Sequence, residues 1–70
     1  MLTAIHLCAK NDRNGNPRRC YVVLNEHGRV GVVDEGYKGI SGLYAKYPEL
    51  KGFYPESFST TPEQYQELTK

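Results

Sequence analysis

Residues 18–34 read Arg18-Arg19-Cys20-Tyr21-Val22-Val23-Leu24-Asn25-Glu26-His27-Gly28-Arg29-Val30-Gly31-Val32-Val33-Asp34. Two runs rich in branched and aromatic side chains, which suit a pleated and half-buried surface, flank four residues with turn chemistry. Asn, and above all Gly, tolerate the positive φ that a tight reversal needs. The stretch therefore predicts a β-hairpin, with Gly28 in the left-handed position of the turn. Closing the turn there sets Leu24 opposite Val30 and Val22 opposite Val32. Those four and Cys20 form one apolar face.

Upstream, Leu2 to Ala9 alternates so that Ile5, Leu7 and Ala9 share a side, and Asn11-Asp12-Arg13-Asn14-Gly15-Asn16-Pro17 is a turn. This strand has two registers against the hairpin. One places Ile5 and Leu7 on the apolar face and sends His6 and Cys8 to the other. A one-residue slip would set Cys8 beside Cys20 but expel both aliphatics, forfeiting about 3 kcal/mol or more of burial. A disulfide is also disfavoured in a reducing cytosol. We expect the first register, with the two thiols on opposite sides of the sheet.

Downstream, Gly36, Gly39 and Gly42 punctuate a connection, and Ile40, Leu43, Tyr44 and Tyr47 then fall at the i, i+3, i+4, i+7 spacing of a short amphipathic helix. Pro48 stops it at or before Tyr47. Leu50 to Ser59 is extended, with Pro55 fitting an edge strand or loop. Thr60 or Thr61 caps a last helix, Pro62 fits its first turn, and Glu63 or Gln64 completes a capping box. Tyr65 and Leu68 would face inward. The expected fold is one α+β domain over residues 1–70: an antiparallel three- to four-stranded β-meander with two short helices in the C-terminal half.

The chain has 70 residues, a net charge of +1 and two cysteines, and Leu, Ile, Val and Phe number 15. A domain this small buries only about 60% of its unfolded surface, so a partner, a metal or well-made local structure must supplement a thin core. Two cysteines cannot build the bridged framework of small secreted domains. No apolar run approaches the roughly 20 residues that span a bilayer, and the opening residues lack a basic leader. We expect a cytoplasmic protein with no membrane partner. Charge divides unevenly: residues 1–31 hold five basic against two acidic side chains, and residues 32–70 four against six. Such a division permits a local anion-facing patch or head-to-tail self-association.

Most apparent chemistry has a plainer explanation. His6, Cys8, Cys20 and His27 lack the paired spacing of a zinc site. His6 and Cys8 point the same way along a strand and do not converge as nucleophile and base. Adjacent Asp34 and Glu35 point to opposite sides, and Asp12-x-Asn14-Gly15 lacks the later ligands of a calcium loop. Gly36-Tyr37-Lys38-Gly39 has the glycine spacing of phosphate-cradling loops, but two fixed positions in four carry little. No catalytic residue, cofactor or metal is expected.

Two features remain. Lys10, Arg13, Arg18 and Arg19 cluster about the first hairpin, next to Tyr21. They form a solvated turn or, failing that, a site for nucleic acid or an acidic protein. Six tyrosines and two phenylalanines supply more aromatic surface than so thin a core needs, and tyrosine suits interfaces. Two short helices are expected to cover one sheet face and leave the other bare. The leading expectation is a non-enzymatic interaction module, accessory or regulatory as in the small inhibitors of phages and plasmids. It would bind a protein partner or a second copy of itself through His6, Tyr21, Val23, Val33, Tyr37 and Tyr54. The alternative is nucleic-acid binding through the basic hairpin.

Overall fold

The structure, a computed structural model, describes residues 1–9, 18–34 and 39–70. Four strands form one sheet: β1 (Thr3–Ala9), β2 (Arg18–Asn25), β3 (Gly28–Asp34) and β4 (Glu56–Thr60), in the order β3-β2-β1-β4. Ile5 lies opposite Val22 and Leu7 opposite Cys20, the register that keeps both aliphatics on the apolar face. Cys8 lies opposite Arg19 and therefore across the sheet from Cys20, and both thiols are free. The first turn, residues 11–17, lies outside the described residues.

The second hairpin closes on Glu26 and His27, with Gly28 at φ 120° and the Asn25 side-chain oxygen accepting from the His27 amide at 2.8 Å. Val22 pairs with Val32 as expected, but Leu24 pairs with Arg29, not Val30. Val23 opposes Gly31, so a bulge leaves Val30 without an opposite residue. A two-residue turn without a bulge would put Val22 across from Gly31. The extra residue restores valine opposite valine, at the cost of exposing Val30.

The sheet is mixed, which corrects the antiparallel expectation: β4 runs parallel to β1. Since β3 also runs parallel to β1, the chain from β3 to β4 is a strand–helix–strand crossover. Returning a strand in the same direction requires a connection of a dozen or more residues, and residues 35–55 supply it. This segment contains α1 (Ile40–Lys46) and a 3-10 turn (Pro48–Leu50). Gly39 enters the helix at φ 59°, a conformation that Cβ disfavours. At the exit, the Tyr47 amide donates to the Leu43 carbonyl at 2.8 Å before Pro48 ends the ladder.

Each face of the sheet receives one helix. α1 and the 3-10 turn cover Ala4, Tyr21, Val23 and Val33, burying Leu43 and Leu50 almost completely. The last helix, α2 (Pro62–Thr69), lies on the opposite face with Ile5, Leu7, Cys20, Val22 and Val32. Its capping box is complete: Thr61 Oγ1 accepts from the Gln64 amide, and Gln64 Oε1 accepts from the Thr61 amide, both at 3.1 Å. At its far end the Arg29 guanidinium donates to the carbonyls of Leu68 and Lys70, occupying acceptors the helix leaves unpaired. Among the described residues no helix is long and apolar enough to cross a membrane.

Candidate functional site

The face expected to be bare is the better covered one. Tyr21, Val23 and Val33 lie beneath α1, with Val23 fully buried, and present no surface to a partner. The physical reason is that the crossover to a parallel β4 must pass over a face of the sheet, and it carries Leu43, Tyr44, Tyr47 and Leu50 onto this one. His6 is half-buried on the same side, Tyr54 is 81% exposed beside the start of β4, and Tyr37 lies outside the described residues. Of the basic cluster, Lys10 and Arg13 also lie outside the described residues. Arg18 and Arg19 are exposed and, as neighbours on β2, leave the sheet from opposite faces.

His6 gathers a small polar group at the β1–β4 junction. Its ring stacks on Tyr21 with centroids 4.8 Å apart, and its Nδ1 lies 2.9 Å from Ser57 Oγ. Cys8 Sγ is 3.6 Å from Nδ1 and 4.0 Å from Nε2. The Sγ–Nδ1 separation is within reach of a sulfur hydrogen bond, so these two strand neighbours, expected to point the same way without converging, do meet. Through Ser57 the His6 ring ties β4 to β1.

On the other face, Tyr65 is the one α2 side chain that packs into the core cluster of Leu7, Cys20 and Val22. Its phenol is paired with the Cys20 thiol. Desolvation beneath the helix raises the Tyr65 pKa, and the Cys20 thiol and Asp34 add to the rise while Arg18 opposes it. Burial likewise raises the pKa of Cys20, against the lowering effect of the Tyr65 hydrogen bond. Both groups are held protonated, as an anchor and not as an activated thiolate.

Around that anchor the helix fits loosely. No α2 residue is fully buried. A groove of about 560 Å³ runs between α2 and β4, lined by Ile5, Leu7, Phe58, Thr60, Gln64, Glu67 and Leu68. A second, of about 390 Å³, continues past Leu68 over Val22 and Leu24 towards Arg29. Leu68 is 48% exposed and Phe58 45%. The helical spacing of Tyr65 and Leu68 points Leu68 inward and says nothing of Phe58, whereas the structure leaves both exposed. The signal for this edge was the Ser57-Phe58-Ser59 alternation on a strand next to Pro55, which marks an edge strand with a lone apolar side chain. Among the described residues no cluster of three or more His, Cys, Asp or Glu is placed to hold a metal ion.

No protein-family model, curated protein or solved structure matches the chain.

Proposed function

We propose that the chain is a small non-enzymatic interaction module, accessory or regulatory in role, that meets a protein surface through the apolar strip along β4 and α2. The observation that carries this reading is Leu68, which stands over Ile5 and Leu7 with unfilled apolar volume on both sides. An apolar groove left open in so small a domain is most simply explained by something that fills it. Phe53, Tyr54 and Phe58 extend the strip along the same edge. Tyr54 is the residue of the expected protein-binding set that remains available there.

The test is the native mass of the chain isolated from its own host, beside a Leu68→Asp variant. The expected result is a species heavier than one chain of 8.0 kDa that collapses to that mass in the variant. A mass of one chain in both preparations would contradict the reading. The nucleic-acid alternative rests on Lys10, Arg13, Arg18 and Arg19. The opposed directions of Arg18 and Arg19 give it no support, and salt-dependent retention on nucleic acid lost in an Arg18→Ala, Arg19→Ala double variant would revive it.

A further inference from the structure

The two edges of the sheet differ. β3 opens on Gly28, is bulged at Val30 between Arg29 and Gly31, and so carries a cation beside its bulge. These are the devices by which proteins keep an edge strand from pairing with another chain. β4 lacks the bulge and the cation: it is regular over five residues, has no Lys, Arg or Pro within it, carries a single charge at its first residue, Glu56, and is exposed from Glu56 to Ser59. Among the described residues no strand pairs with its outer edge.

Resting on the interaction reading above, we infer that the occupant of this edge is β4 of a second copy, paired antiparallel about a two-fold axis through Phe58. The sequence of the strand is complementary to itself in that arrangement. Phe58 faces the partner's Phe58, an aromatic cross-strand pair, Ser57 faces the partner's Ser59, and Glu56 faces the partner's Thr60. The strand's one charge thus meets a hydroxyl and not its own copy, and no like charges oppose each other. Pro55 and Pro62 bracket the strand and lack the amide donors needed to extend a ladder, which confines pairing to these five residues and to this register. Phe58, Leu7 and Thr60 share one side of the sheet by the β1–β4 register. The two grooves beside Leu68 would then lie on the same side of a continuous eight-stranded sheet. Five residues make a small interface, so the dimer belongs to the weak, concentration-dependent class.

Sedimentation equilibrium from about 10 µM to about 1 mM, the range over which weak interfaces assemble, tests this on purified chain. The wild type should move from one chain towards two. Phe58→Lys should weaken association at least about tenfold by opposing two cations in place of two rings. Thr60→Lys should tighten it about two- to fivefold by placing a lysine across from the partner's Glu56. Melting curves check that each variant still folds: Phe58 is exposed, whereas Thr60 is half-buried and its hydroxyl donates to the Cys8 carbonyl at 3.4 Å, so a modestly lower midpoint is expected for Thr60→Lys. A wild type that stays one chain throughout overturns the self-pairing, as does a dimer indifferent to both substitutions. If such a monomeric chain is nevertheless isolated from its host in a Leu68-dependent assembly, the interaction reading stands and the partner is a different protein. If it is not, both fall.

Discussion

The two faces of this sheet are covered by helices of nearly equal length and with different results. Beneath α1 the packing is closed: Leu43 and Leu50 are buried over Ala4, Val23 and Val33, and the Tyr44 hydroxyl ties the helix to the Phe53 carbonyl at 2.6 Å. Beneath α2 one tyrosine reaches the sheet, and grooves open on either side of Leu68. The contrast follows from composition. The crossover segment places Ile40, Leu43, Tyr44, Tyr47 and Leu50 within eleven residues, whereas α2 offers Tyr65 and Leu68 among polar neighbours. A helix with two apolar side chains can be held at its ends, by the Thr61 box and by Arg29, without filling what lies under it.

The largest expected effect sets the faces directly against each other. Leu43→Ala should cost about 2–5 kcal/mol, most of the stability of a domain this size, which at about 0.05–0.15 kcal/mol per residue is only several kcal/mol. Leu68→Ala should cost no more than about 1 kcal/mol. Urea titration of both variants measures the difference, and equal losses would mean that α2 is as tightly seated as α1. Next comes Gly31→Ala. A Cβ there would approach the Tyr47 hydroxyl to 2.5 Å, an overpacking expected to cost about 1–3 kcal/mol. Tyr47→Phe in the same chain should recover most of it, and a cycle without coupling would show that the two residues do not touch.

Smaller effects examine how α2 is held. Thr61→Ala removes one half of the capping box and should cost about 1 kcal/mol, read as a lower urea midpoint. The tyrosine anchor makes a prediction in pH. Cys20 and Tyr65 are acids whose folded pKa values are raised above their ordinary 9.0 and 10.0, so the fold favours their protonated forms. Their contribution is complete below about pH 9 and declines as pH rises past those ordinary values, because the unfolded chain then releases protons first. Tyr65→Phe should flatten the decline above pH 10. A wild-type stability constant from pH 8 to 11, or an unchanged slope in the variant, would contradict the anchor.

Much of the fold was legible in local pattern. The Gly28 turn, the helix stopped by Pro48 and the Thr61–Gln64 box each depend on neighbours in sequence, the Ile5 and Leu7 register follows from period-two alternation set against the hairpin's apolar face, and the structure contains them all. Strand direction was not legible. The segment before β4 reads correctly as a helix, but that a helical crossover returns its strand parallel, and on which face it travels, depends on the completed sheet. The error in the site followed from that one. With the crossover placed over Tyr21, Val23 and Val33, those residues became core, and the open surface shifted to Phe58 and Leu68 on the other face. The bulge at Val30 was equally hidden, since it resolves a conflict between turn length and valine pairing that appears only when both strands are aligned.

The claim that β4 and α2 form the working side is tested most directly by amide hydrogen exchange, comparing the assembled form with the isolated chain. Exchange should slow across Glu56–Thr60 and Pro62–Thr69 on assembly and stay unchanged through Ile40–Leu50. Slowing confined to the α1 side, or to β3, would contradict it.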